Sequence, residues 1–217
     1  VDAHLHALSE QEAAAQQQYM DSARKLSKAR RTAAQTLTQQ VQKQLTALGL
    51  KAAKLDAQLG ECAPGADGLA EVEFLFSANP GQPLKPLGKV ASGGELSRVS
   101  LAIQVICARN LTVPSLVFDE VDVGVGGGVA EIVGRLLREL GGHAQVLCIT
   151  HQPQVASQGH QHWQVHKIQG DDTTHTRIQG LDDNARIEEL ARMLGGVEIT
   201  ESTRNHAKEM LSKAQAA

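Results

Sequence analysis

Aromatic side chains are scarce in this 217-residue chain: one Trp, one Tyr and three Phe. Binding of nucleic acid by base stacking needs exposed rings, and such scarcity argues against that mode. Cysteine is scarce too. Cys62, Cys107 and Cys148 are odd in number, show no CxxC spacing, and two fall inside predicted regular elements. They read as reduced, buried thiols of a cytosolic protein rather than disulfides or zinc ligands. No apolar run approaches the eighteen or so residues a membrane span needs, and no charged-then-apolar leader precedes the first helical pattern. The expectation is a soluble, cytoplasmic protein with no membrane partner. The pattern GxxxxGK[ST], whose N–H cradle and lysine hold nucleotide phosphates, is absent as well. Val1 opens inside a helical pattern without a cap, which suggests a piece of something longer.

Acidic residues are missing between Ser22 and Leu55, where eight cations stand: Arg24, Lys25, Lys28, Arg30, Arg31, Lys43, Lys51 and Lys54. Against a net charge of −3 this segment is +8, which leaves −11 on the rest. A basic arm on an acidic body is an asymmetry with two readings. Arg24, Lys25, Lys28, Arg30 and Arg31 are candidates for sequence-independent contacts with DNA phosphates. The alternative is a solvated face balanced by acids on a partner helix.

Residues 1 to about 59 contain no Pro and a single Gly, Gly49. Leu26, Ala33, Leu37, Val41, Leu45, Leu48, Ala52, Leu55 and Leu59 step by threes, fours and one seven. That is the narrow seam of a coiled-coil helix, with a 4-4-3 stretch resembling a stutter. No second long helix is present to pair with it, so its partner is expected outside the chain. Gly60 changes the pattern. Val72, Phe74 and Phe76 alternate as a strand, and a Pro/Gly loop runs over 79–88. A helix is expected over 96–110, a short buried strand over 115–118, a helix over 129–140 and a second buried strand over 145–149. A hairpin turning at Gly170-Asp171-Asp172 and two closing helices, about 183–194 and 201–213, complete the chain. Apolar strand, helix and apolar strand imply a parallel βαβ core with ligands at the strands' carboxyl ends.

Three motifs carry chemistry. Leu116-Val-Phe-Asp119-Glu120 is an apolar strand ending in two carboxylates, the first placed to hold Mg²⁺ and the second to polarise water; taken alone it reads equally as an ordinary strand ending in a solvated turn. Ser92-Gly93-Gly94-Glu95 opens a helix. It reads both as a capping box and as a phosphate site on backbone N–H groups, and the two readings are compatible. Thr150-His151 ends the second strand, where a His can reach a phosphate; a lone strand-end His is more often structural, and the other two motifs are what favour the phosphate reading. The three occur in order at spacings of about 25 and about 31 residues. His160-x-His162-x-x-x-His166 lacks a carboxylate or thiol partner and reads as surface histidine rather than a metal site.

Val90-Ala-Ser-Gly-Gly-Glu-Leu-Ser-Arg98, Phe118-Asp-Glu-Val-Asp-Val-Gly124, Thr150-His-Gln-Pro-Gln-Val-Ala156 and Ala191-Arg-Met-Leu-Gly-Gly196 together resemble the bacterial RecN family, SMC-like ABC ATPases of DNA double-strand-break repair. The resemblance covers residues 69–212 well and the preceding helix in character only. It implies an α/β fold, the C-terminal lobe of an ABC/SMC-type ATPase head with a parallel βαβ core, preceded by one arm of an antiparallel coiled coil. Residues 1–60 would be the arm and 61–217 the lobe. It implies further that ATP and Mg²⁺ are the cofactors and that two heads of a homodimer close face to face on two nucleotides. Ser92, Gly93, Gly94 and Glu95 would form the signature loop against the opposite head's γ-phosphate. Asp119 would support Mg²⁺, Glu120 would be the catalytic base, His151 would contact the γ-phosphate, and Asp122 would lie in the segment crossing the dimer interface. The nucleotide-cradling lobe and the other coil arm would lie before this segment, in a nucleoid-associated protein. An assembly module in which hydrolysis belongs elsewhere is the alternative, but such a module has no need of Glu120.

Overall fold

A computed structural model describes residues 2–89, 92–108, 113–169, 174–195 and 198–216. It contains two compact units: Val1–Lys43 with Ala52–Val90, and Gln44–Lys51 with Ala91–Ala217.

In the first unit, helix α1 (Asp2–Ala47, continuing into the second unit) follows from a long run of Ala, Gln, Lys and Leu, strong helix formers without Pro or Gly. Strands β1 (Lys54–Gly65) and β2 (Gly68–Ser77) form an antiparallel hairpin, and the two-residue β3 (Lys85–Pro86) pairs with β2, followed by a 3₁₀ turn at Leu87–Lys89. The hairpin lies along the helix. Near one end the Tyr19 hydroxyl donates to the Gly65 carbonyl at 2.9 Å, and near the other Gln42 Nε2 donates to the Ala53 carbonyl at 2.7 Å. Arg30 Nη1 adds to the hold on the hairpin's turn, donating to the carbonyls of Asp67 and Ala70 at 2.6 and 3.3 Å.

Two expectations are corrected here. The helix does not reach residue 59: it ends at Ala47, Gly49 adopts φ +80°, and Leu50 N–H closes back on the Leu45 carbonyl at 2.9 Å. Ala53, Leu55 and Ala57 are buried at alternate positions, a strand period that the stepping of 52, 55 and 59 disguises as helix. Nor does the helix lack a partner throughout, because the hairpin serves it from Tyr19 onward. Residues 2–18 are exposed on every face.

The second unit holds the parallel pair β4 (Ser115–Phe118) and β5 (Gln145–Cys148), joined through helix α3 (Gly127–Gly141). The expected βαβ core is present, with Phe118 opposite Cys148 at the strands' carboxyl ends. Helix α2 (Gly93–Ile106) precedes it. The short α4 (Pro153–Ala156), the hairpin β6 (Trp163–Gln169) with β7 (Thr174–Gly180), and helices α5 (Asp183–Gly195) and α6 (Glu201–Ala216) follow. The expected turn at Gly170-Asp171-Asp172, Asn110 at the end of the expected first head helix, and Gly196 lie outside the described residues. Amphipathic α3 buries Ala130, Val133, Leu136, Leu137 and Leu140. At Gly134 it meets α4 so closely that a Cβ would sit 2.7 Å from Gln158 Cγ. Helices α5 and α6 close a second core on Leu190, Ala191, Ala207 and Leu211.

Strands β4 and β5 are not buried on both faces as expected. Val117 and Leu147 are 65% and 54% exposed, and Ile149 just beyond β5 is 61% exposed, while Phe118 turns inward. A two-stranded sheet has helices of this segment on one face only. The thiols differ as well: Cys62 is exposed and Cys107 and Cys148 half-buried. No helix among the described residues is long and apolar enough to cross a membrane.

Candidate functional site: the carboxyl edge of β4 and β5 and the start of α2

Helix α2 starts as the sequence reading expects. Ser92 is its N-cap, with its hydroxyl accepting from Glu95 N–H at 3.3 Å and the Glu95 carboxylate accepting from Ser92 N–H at 3.0 Å. This capping box leaves the N–H groups of Gly93 and Gly94 without intrahelical carbonyl partners, at the positive end of the helix dipole.

Asp119 and Glu120 leave β4 in a tight turn, with Val123 N–H donating to the Glu120 carbonyl at 3.2 Å. Both acids are exposed. One Asp119 oxygen accepts from Glu120 N–H at 3.0 Å. Glu120 is the only non-glycine residue with positive φ among those described, at 58°. A side chain held in that region costs about 1–3 kcal/mol and persists only where its surroundings enforce it. The carboxylate of Glu120 is thereby turned back onto Gly93, occupying the space a Cβ there would need.

The enforcement comes from one face of α2. A Cβ on Gly94 would lie 3.2 Å from the carbonyls of both Glu120 and Val123. Ser97 Oγ donates to the Asp119 carbonyl at 2.8 Å, and Arg98 Nη1 donates to the Val123 carbonyl at 2.8 Å. Residues 94, 97 and 98 share a helix face by their spacing, and Leu101, one turn on, is fully buried. Arg98 is buried too, with no partner for its Nε among the described residues. Desolvation pulls its pKa below the ordinary arginine value, and the charge of Glu95 opposes that.

Asp122 is 1% exposed, with its carboxylate turned inside this unit. It accepts the Thr150 hydroxyl proton and lies 4.0 Å from Nδ1 of His151, whose side chain is 70% exposed. Gln152 completes the link: its N–H donates to Thr150 Oγ at 2.9 Å and its Nε2 to the Val125 carbonyl at 3.0 Å. The ends of β4 and β5 are thus tied through side chains. Burial, with the charges of Asp122 and Asp119 beside it, pushes the Cys148 thiol up to about 12, so it stays protonated.

The structure therefore brings Ser92, Gly93, Gly94, Glu95, Asp119, Glu120, Asp122 and His151 to one edge of one unit. Arg98, Thr150 and Gln152 fall inside the sequence motifs, yet sequence reasoning assigns them no role. Ser97 and Arg98 have a signal, their placement one turn after Gly94, whereas the inward turn of Asp122 has none. Among the candidate phosphate contacts of α1, Arg24, Lys25, Lys28 and Arg31 are exposed, while Arg30 is committed to the hairpin. No group of three or more His, Cys, Asp or Glu among the described residues is arranged as a metal site. His162 is not a surface histidine. It is half-buried beside Arg186, and desolvation followed by the Arg186 charge lowers its pKa.

No protein-family model matches the chain. It is 46% identical over 218 residues to the DNA repair protein RecN of Xylella fastidiosa (strain Temecula1) and 47% identical over 215 residues to that of Vibrio cholerae serotype O1. These alignments cover 99% and 98% of this chain, and the chain spans 39% of the length of each relative. Among solved structures, the Smc head domain with a coiled coil and joint from Pyrococcus yayanosii superposes with a TM-score of 0.51 at 18% identity, covering 71% of this chain and 28% of that one, a likeness of fold. Similar over nearly its whole length to a C-terminal portion of those relatives, the chain belongs to the RecN family.

Proposed function

We propose that these residues are the signature-and-acid half of an ATP-driven, SMC-like head that acts in DNA repair. The observation that carries the reading is Glu120, a carboxylate at the end of β4 held at φ 58° by its neighbours rather than relaxed into solvent. An ordinary strand-end turn has no use for that strain. In this reading Glu120 orients and deprotonates water, and the freed proton resides on its carboxylate. His151, exposed just beyond the end of β5 and close to Asp122, reaches the γ-phosphate. Ser92, Gly93 and Gly94 present the α2 N-terminus to the γ-phosphate of a second head of a homodimer, and Glu95 keeps that terminus capped. Asp122 acts from inside, fixing Thr150 and hence the position of His151.

Asp119 suits Mg²⁺. The ion usually takes one or two carboxylates and fills its octahedron with phosphate oxygens and water, and Asp119 is an exposed carboxylate with one oxygen already oriented by Glu120 N–H. When bound, the ion neutralises charge on the phosphate oxygens. The cradle for the nucleotide belongs to a lobe outside these residues, and the exposed face of Val117, Leu147 and Ile149 supports its docking there. The division into an arm over 1–60 and a lobe over 61–217 is part of the proposal, with the arm's helix confined to Asp2–Ala47. Along it Arg24, Lys25, Lys28 and Arg31 contact DNA phosphates, in a cytoplasmic, nucleoid-associated protein.

In the intact protein, Glu120→Gln keeps shape and hydrogen bonding but removes the base. Steady-state turnover should fall by about 10²- to 10⁴-fold with nucleotide binding retained. Turnover near that of the unaltered protein would exclude Glu120 as the base.

A further inference from the structure

The turn that carries Glu120 is gripped at both ends by α2. Ser97 holds its near end through the Asp119 carbonyl, and Arg98 holds its far end through the Val123 carbonyl, with Gly94 seated between. Of the three, Arg98 is the costly choice. A guanidinium with only 7% of its residue surface exposed and an unpartnered Nε is a poor device for stability alone, because desolvating a cation is expensive and a packed apolar side chain of similar volume often does as well. What an apolar residue cannot do is hold a carbonyl oxygen at 2.8 Å. Releasing that carbonyl frees the end of a turn whose second residue, Glu120, is strained. The side chain would then leave the left-handed region, and its carboxylate would leave the edge of β4.

We propose that Arg98 is a positioning residue for Glu120, holding the turn so that the carboxylate is fixed relative to the start of α2. The inference rests on the reading of Glu120 as the base. It also couples the two motifs within one head: a ligand drawn onto Gly93 and Gly94 meets a helix whose same face sets the orientation of the base.

The test is a double-mutant cycle in the intact protein, with kcat and KM for ATP measured for Arg98→Met, Arg98→Lys, Glu120→Gln and Arg98→Met with Glu120→Gln. Displacing a base by an ångström or so costs about 10- to 10²-fold, so Arg98→Met should lower kcat by that factor with KM for ATP changed less than about two-fold. Arg98→Lys retains a donor for the Val123 carbonyl and should recover most of the loss. In the Glu120→Gln background Arg98→Met should cost less than about two-fold more, because the group it positions is already gone. Equal losses in both backgrounds, a Lys variant no better than Met, or unchanged kcat in Arg98→Met would overturn the proposal and leave the assignment of Glu120 standing. A Glu120→Gln protein with normal turnover would overturn both. Thermal melting of each variant serves as the control. A kcat loss accompanied by a fall in melting temperature that Arg98→Lys shares in full would reassign Arg98 to packing.

Discussion

At the scale of single residues, Gly94 separates packing from chemistry. Its missing Cβ is required by its own lobe, since both carbonyls of the Glu120–Val123 turn stand 3.2 Å from where that atom would be. From the sequence, a Gly94→Asp head is expected to keep its fold and single-head nucleotide binding while losing dimerisation. The structure corrects the first half: even Gly94→Ala should lower the melting temperature, with overpacking of this kind costing about 1–3 kcal/mol. Ser92→Ala, on an exposed cap, should cost nearer 1 kcal/mol and is the cleaner probe of the signature loop. Thr150→Val leaves one oxygen of the buried Asp122 without its hydroxyl and should cost about 1–3 kcal/mol by chemical denaturation. His162 adds a pH dependence. Its folded-state pKa lies below the unfolded value of about 6.5, so the unfolded chain takes up the proton first as pH falls. Stability should be full above about pH 6.5 and decline below it, and His162→Gln should flatten that decline.

Among the elements, α1 and the β1–β2 hairpin make the sharpest contrast between what is legible in the sequence and what is not. Strand β4 is legible at 115–118 because three consecutive apolar residues, Leu116 to Phe118, stand between Pro114-Ser115 and Asp119 and leave little choice. The α2 cap is legible because Ser92 and Glu95 stand three apart. The end of α1 is not, because Leu55 and Leu59 satisfy both a helical and an alternating period and only Gly49 marks the break. The hairpin's grip on the helix is hidden because Tyr19, Arg30 and Gln42 all donate to backbone carbonyls, which leave no trace in side-chain patterning. This grip divides the basic residues. Neutralising Arg24, Lys25, Lys28 and Arg31 in the intact protein should flatten the dependence of log DNA affinity on log salt by roughly 0.9 unit for each phosphate no longer neutralised. Replacing Arg30 alone should instead loosen the hairpin and lower thermal stability. An unchanged salt slope in the fourfold variant would return these cations to a solvated face. Between α3 and α4, Gly134→Ala should destabilise the second unit, because the new methyl meets Gln158 and the Gln154 carbonyl.

At the scale of the whole molecule, the proposed function makes this site one half of a larger one. The Ser92–Glu95 loop, the two acids and the histidine converge on one edge, yet nothing in the 217 residues matches the lysine-bearing loop that neutralises β- and γ-phosphates. A few N–H donors beside two exposed carboxylates cannot offset the cost of ordering a nucleotide. The measurement that tests this most directly is calorimetric titration of Mg-ATP into these 217 residues alone and into the same residues mixed with the proposed lobe, a segment of the intact protein carrying GxxxxGK[ST]. The account predicts no detectable heat of binding in the first case and restored binding in the second. Micromolar binding of Mg-ATP by the chain alone would contradict it.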